Sequence, residues 1–299
     1  MPHITHLSLT TPQDFDFTSA ITSHGWVVLS PNIYEKEQNS FSRIEAPPDG
    51  QAARLTVSSG KANQVRIAVE SAGELLAPDK KYIKERVRHM LRLDEDYSDF
   101  YLHCQAKGGV WAGLACGKGR MLRSPSLFED LVKVICTTNI QWGGTKRMVK
   151  ELVDAYGTPF TPQPELKTFP APEAIAADSQ EVFKTRVNLG YRAAYIHGLA
   201  ASVAEGVLDL DALADESAPT AEIRKRLKGI KGIGDYAAAS MLMLLGRYDE
   251  IPTDTVFRDH MLKNHSTGDE FDLKQAQAYY EDWGRWKALA YWFEMLESE

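Results

Sequence analysis

The sequence predicts an α+β fold: an antiparallel β-sheet domain with helices over residues 1–118, followed by an all-helical domain over residues 119–299. Three observations carry this. Leu55 and Val57, then Val65, Ile67 and Val69, alternate with polar residues, the period of a strand with one face buried. Turn residues flank these runs, Pro47-Pro48-Asp49-Gly50 before the first and Ser59-Gly60-Lys61 between the two. Beyond residue 119 the apolar residues recur four apart instead, at Leu127, Leu131 and Ile135 and again at Tyr195, Leu199 and Val203.

In chain order, Trp26 to Ser30 is a short apolar run that reads as a further strand. From about Pro78 the pattern turns helical. Lys107-Gly108-Gly109 and Gly117-Lys118-Gly119 read as loops and place the domain boundary near residue 119. Ser124 or Ser126 can cap the helix that carries Leu127, and Gly206 stops the one that carries Tyr195. The Pro-rich stretch from Thr161 to Pro172 reads as an ordered surface linker between two helical groups. No internal repeat and no low-complexity segment interrupts the chain.

A chain of 299 residues can bury a substantial core, and 43% hydrophobic with 25% charged residues is ordinary for a globular protein. No run approaches the roughly 18 apolar residues of a membrane span. Met1 to Thr10 lacks the basic end and apolar stretch of a signal peptide. Cys104, Cys116 and Cys136 are too few and too scattered for a disulfide framework or a four-cysteine metal cluster. An intracellular location is expected, cytoplasm or nucleoid in a bacterium and nucleus in a eukaryote. The net charge of -7 does not advertise a nucleic-acid binder. Basic residues nevertheless cluster: Arg224, Lys225, Arg226, Lys228 and Lys231, then Lys146, Arg147 and Lys150, then Arg120 and Arg123. Such patches can hold phosphates on an acidic protein, or can simply be solvated helix faces.

The informative segment runs from Leu227 to Tyr236, through Lys228-Gly229-Ile230-Lys231-Gly232-Ile233-Gly234-Asp235. A basic helix from Thr220 to Leu227 leads in and an Ala/Leu/Met-rich helix from Ala237 to Leu245 leads out. Without a Cβ at Gly232 and Gly234 the turn can be tight and its backbone can approach another molecule. The outgoing helix offers unpaired N–H groups that suit a phosphate, a grip that reads no bases. The next landmark is Pro252-Thr253-Asp254, with Asp254 where another helix starts. Alone, such an aspartate is a helix N-cap.

A hairpin, one helix, then Pro-Thr-Asp resembles the helix-hairpin-helix DNA glycosylase superfamily. The closest likeness is to its 8-oxoguanine and 3-methyladenine II branches. Ile135-Cys136-Thr137-Thr138-Asn139 resembles the segment that fills the gap left by an extruded base. Leu189-Gly190-Tyr191-Arg192-Ala193-Ala194-Tyr195 resembles the segment that wedges the duplex. Trp283-Gly284-Arg285-Trp286 and the helix after it resemble the pocket helix. These landmarks keep the family's order over residues 119 to 296.

The resemblance implies a base-excision-repair enzyme that flips a damaged base out of double-stranded DNA and cuts its N-glycosidic bond. It implies Asp254 as the catalytic carboxylate, facing the cation that develops on the sugar, with helix N–H groups holding it ionised. Asn139 would fill the gap, Tyr191 would wedge, and Arg192 would bond the orphaned base. Lys228, Gly229, Lys231, Gly232 and Gly234 would meet the DNA backbone. Tyr236, Ser240, Tyr291 and Met295 would wall the base pocket, with Tyr291 where the 8-oxoguanine branch has a glutamine and Met295 where it has a phenylalanine. Bifunctional members place a lysine where this chain has Tyr236; a phenol forms no Schiff base, so water is the expected nucleophile and lyase activity is expected to be absent. The expectation is a monomer with no cofactor and no metal-ligating residues, save a structural cation that the hairpin backbone could hold. The alternatives are a glycosylase for an alkylated base, uracil or a mismatch, and a non-catalytic hairpin protein that only binds DNA. The missing four-cysteine cluster argues against the adenine-mismatch and endonuclease III branches.

Overall fold

The structure is a computed structural model that describes residues 2–47, 50–265 and 271–297. Its strands are β1 (His3–Thr10), β2 (Ile33–Glu35), β3 (Ser40–Glu45), β4 (Ala53–Ser59), β5 (Gln64–Ser71), β6 (Pro159–Phe160) and β7 (Gln163–Lys167). The longer helices are α1 (Ala77–Met90), α2 (Ser98–Lys107), α3 (Leu127–Thr137), α4 (Trp142–Tyr156), α5 (Arg192–Ala204), α6 (Thr220–Gly229), α7 (Asp235–Leu244), α8 (Thr255–Asn264) and α9 (Lys287–Glu297). An N-terminal antiparallel sheet followed by helices is the expected α+β class. Among the described residues no helix is long and apolar enough to cross a membrane.

The chain divides into two compact units, each built from two separate stretches: residues 1–95 with 120–210, and residues 96–119 with 211–299. The sequence suggested a single boundary near 119. That position is one of three at which the chain passes from one unit to the other, because α2 and the turns after it fold with the C-terminal helices. The reason is aromatic. Phe100 lies 6.0 Å from Trp283 and 5.5 Å from Trp286, ring to ring. The Tyr97 and Tyr248 hydroxyls meet at 2.7 Å, and the Trp286 indole N–H donates to Asp99 at 2.6 Å.

In the first unit the sheet has the order β1-β5-β4-β3-β2, antiparallel throughout. The alternation read from the sequence falls on the β4–β5 pairing, with Leu55 opposite Val69 and Val57 opposite Ile67. These four side chains and Val65 are fully buried, each burial contributing about 1.5–3 kcal/mol. Gly60 closes the β4–β5 turn by donating to the Gln64 carbonyl at 2.8 Å, and a Cβ there would collide with that same carbonyl. Pro48 and Asp49 of the other turn lie outside the described residues. β3 gave no sequence signal because all six of its residues are buried, so no polar face alternates with the apolar one.

Two local expectations change. The run from Trp26 is not a strand: Gly25–Val28 is one turn of 3-10 helix, with Trp26 buried and donating to Asp130 at 2.7 Å. Its apolar character reports burial, not period. The Thr161–Pro172 stretch is ordered as expected but contains strand β7, which pairs antiparallel with β6 just before it. Ser126, not Ser124, caps α3 by accepting from the Glu129 N–H at 3.3 Å. On that helix Glu129, Asp130 and Lys133 are all buried. Arg43 of β3 makes a two-pronged bond to Glu129 (3.1 and 2.8 Å) and a third bond to Glu45 at 2.6 Å, while Lys133 pairs with Glu129 at 2.6 Å. This network joins the sheet to α3.

Candidate active site and nucleic-acid interface

The hairpin is formed within the second unit. α6 ends at Gly229, the Ile233 N–H donates to the Ile230 carbonyl at 3.0 Å, and α7 starts at Asp235. Gly232 has φ +99°, which an L side chain resists. Gly234 differs: its φ of -88° suits any residue, and a Cβ there would meet open space. As the N-cap of α7 it brings no side chain to the helix terminus, so the first N–H groups of α7 have no capping side chain. Gly229 is likewise exposed with nothing near a Cβ, and Lys231 is exposed at the tip.

The cations here have a partner that the sequence reading missed. Lys228 Nζ and an Arg224 guanidinium nitrogen both meet Asp235 Oδ1, at 2.8 and 2.6 Å, and Arg224 also reaches Glu250 at 2.7 Å. The pairing crosses the turn, so no helical spacing advertises it. Lys228 and then Arg224 hold the exposed Asp235 carboxyl below the usual carboxylate range.

Asp254 is the N-cap of α8. Its side chain accepts from the Phe257 N–H at 2.9 Å and is half-buried. Burial pushes its pKa up, and the backbone N–H groups of Phe257 and Val256 only partly oppose this, so the net shift is upward. The helix N–H donors that the sequence led us to expect are present, and desolvation outweighs their effect on the pKa. Tyr236, in the first turn of α7, is 37% exposed. Its phenol is pushed up by burial and then by the Asp254 carboxylate, with Ser240 acting the other way. Tyr236, Ser240 and Asp254 therefore share one electrostatic neighbourhood. The Ser240 hydroxyl donates to the Tyr236 carbonyl at 3.0 Å.

The other two expected pocket residues lie deeper. Tyr291 and Met295 on α9 are 1% and 5% exposed. Tyr291 packs edge-on against Phe257 at 5.0 Å, and its hydroxyl contacts the Met295 sulfur at 3.8 Å. In this conformation they form core beneath α8, not an open wall. Trp283 and Trp286 are core as well.

In the first unit the structure brings together the three residues expected to act on the gap. Asn139 takes a left-handed φ of +48°, which asparagine tolerates better than most residues. Its amide nitrogen lies 3.4 Å from the Tyr191 hydroxyl, and Tyr191 projects with 51% exposure. Arg192 departs from its expected role. It is only 5% exposed, stacks its guanidinium 4.5 Å over the Tyr191 ring and donates to the carbonyls of Thr138 and Asn139. It braces the Asn139 turn from inside and does not project beside Tyr191. Burial raises the Tyr191 pKa, but hydrogen bonds with Thr138 and Asn139 and the Arg192 charge together bring the net shift below its ordinary value.

No family model matches the chain. Among solved structures it is similar to 3-methyladenine DNA-glycosylase from Archaeoglobus fulgidus, with a TM-score of 0.75 and 17% identity over 96% of this chain and 97% of that one. It is similar to MBOgg1 in complex with a low-affinity DNA ligand, with a TM-score of 0.72 and 19% identity over 99% of both chains. A third is an 8-oxoguanine glycosylase/lyase from Clostridium acetobutylicum, bound to double-stranded DNA with cytosine opposite 8-oxoG (TM-score 0.68, 15% identity, 100% of this chain and 97% of that one). The fold is theirs.

Within that fold the basic patches sort unequally. Arg120 is buried and donates to the carbonyls of Arg92 and Glu95 at 2.5 and 2.9 Å, and Arg123 pairs with Glu95 at 3.3 Å. This pair is structural. Lys146, Arg147 and Lys150 are exposed on α4, where Arg147 and Lys150 pair with Glu151 and Asp154 one turn on.

Proposed function

We propose that this chain is a monofunctional DNA glycosylase of base-excision repair. It hydrolyses the N-glycosidic bond of a damaged, modified purine turned out of duplex DNA. The observation that carries the reading is the half-buried Asp254 carboxylate capping α8, one helix after a hairpin that leaves the α7 N–H groups without a capping side chain. Hairpin backbone, Lys228 and Lys231 hold phosphates without reading sequence. Asn139 and Tyr191 occupy the space vacated by the everted base, with Arg192 as their brace. Asp254 stabilises the oxocarbenium-like charge on the sugar and orients the attacking water. Its upward-shifted pKa makes it a somewhat stronger base than a solvated aspartate. Tyr236 supplies no amine, so no imine to the sugar forms and the product is an intact abasic site.

An alkylated purine is the second reading, favoured by the partly exposed aromatic ring of Tyr236 in the electrostatic neighbourhood of Asp254; stacking suits an electron-poor ring. The experiment is base release from duplexes that each carry one lesion, assayed with and without alkali. The expected result is release from a modified-purine duplex and strand breaks only after alkali. Binding without release from any lesion duplex would leave a hairpin protein that only holds DNA.

A further inference from the structure

We propose that His260, His265 and Glu294 form a binding site for a divalent transition-metal ion, zinc by its ligand chemistry, which fastens the end of α8 to α9. His260 lies in the last turns of α8, His265 is its C-cap, and Glu294 lies on α9. One ligand atom from each lies within 4.8 Å of the others. Both separations to the carboxylate are shorter: His265 Nε2 is 3.2 Å from Glu294 Oε1 and His260 Nε2 is 3.6 Å from Oε2. Four-coordinate zinc, with bonds of about 2.0–2.1 Å, sets its ligands about 3.3 Å apart. The two imidazole–carboxylate separations bracket that value, and the third lies within 4.8 Å.

Three further features fit an ion. His260 and Glu294 are buried, so the carboxylate charge sits where little water can screen it. His265 Nε2 is itself buried and makes no hydrogen bond of acceptable geometry, although it faces the carboxylate. The surrounding groups are those that orient metal ligands. The Tyr280 hydroxyl donates to Glu294 Oε2 at 2.5 Å and lies 3.2 Å from His260 Nε2. The Asn264 amide nitrogen lies 3.1 Å from His260 Nδ1 and donates to the His260 carbonyl at 3.1 Å, which orients the ring.

Two imidazoles and one carboxylate select zinc over magnesium or calcium, which prefer all-oxygen shells, and over copper(I), which prefers sulfur. A fourth position would fall to water or to the Tyr280 oxygen. The set is distinct from Asp254, although Asp254 caps the other end of the same helix.

The full chain, stripped of metal with a chelator and dialysed, is titrated with Co2+ and separately with Zn2+. The expected result is one equivalent bound per chain, the visible absorption of four-coordinate cobalt, and its displacement by Zn2+. Glu294→Gln and His265→Asn should each abolish the cobalt spectrum, and Tyr280→Phe should weaken affinity by about 10–100-fold. No saturable spectrum in the wild-type chain, or one unchanged in His265→Asn, overturns the site. His265 is only half-buried, so that variant reports on binding even if Glu294→Gln misfolds.

Discussion

At the scale of single residues, Asp254 carries two roles that mutation can separate. It caps α8, and asparagine caps a helix about as well. Folding raises its pKa, so the folded chain holds that proton more tightly than the unfolded one. The carboxylate therefore costs stability as pH rises through the carboxylate range and costs nothing below it. Asp254→Asn should melt at the same temperature or higher at pH 7, while base release falls by about 10²-fold or more. A variant that melts well below wild type would make Asp254 chiefly a structural residue. In the wild-type enzyme the acid limb of kcat/KM should lie above about 3.9, the value of a free aspartate. Tyr236 is the companion test. Tyr236→Lys places an amine beside Asp254, and borohydride should then trap an enzyme–DNA adduct that wild type does not give. Trapping by the wild-type chain would refute the monofunctional reading.

At the scale of an element, the hairpin contains two glycines with different physics. Gly232 needs its positive φ, so Gly232→Ala should destabilise the chain by about 1–2 kcal/mol. Gly234 has ordinary dihedrals and empty space around it, so Gly234→Ala should leave the melting temperature within a degree or two. Its missing Cβ matters only to something that approaches α7 from outside. Gly234→Ala should therefore weaken binding to undamaged duplex severalfold with no loss of stability, as measured by fluorescence anisotropy alongside thermal melts. Equal DNA affinity would mean that this backbone does not touch phosphate. The glycine spacing and the helices on either side were legible because turn chemistry is local. The Arg224–Asp235–Lys228 cluster was not, because it joins residues across the bend.

At the scale of the molecule, buried charge holds the first unit together. Burial raises the Glu129 pKa, but Arg43 and Lys133 more than offset it and hold it at about 2, against an ordinary 4.5. A depressed carboxylate contributes stability above its ordinary value and loses it as pH falls from 4.5 toward 2. Glu129→Gln takes from buried Lys133 and Arg43 the carboxylate they share, and should cost about 3 kcal/mol in urea unfolding at pH 7. A loss under about 1 kcal/mol would show the network to be dispensable. This cluster was invisible in the sequence, where Glu129, Asp130 and Lys133 read as an ordinary polar helix face. Arg120 misled for the same reason: a surface patch in one dimension is an interior brace in three.

The sequence alone determined what depends on near neighbours: the alternation of β4 and β5, the fourfold spacing on α3 and α5, the tight glycine turn, and an aspartate at the start of α8. Each is fixed by backbone sterics and by a period the chain carries in itself. Tertiary structure decided whatever depends on which distant residues share a desolvated volume. It placed α2 with the C-terminal helices, turned Arg192 inward, put Tyr291 and Met295 into the core, and raised the Asp254 pKa. It also gathered His260, His265 and Glu294 around one point. Burial and electrostatic work are set by everything within a few ångströms, and sequence separation says little about who those neighbours are.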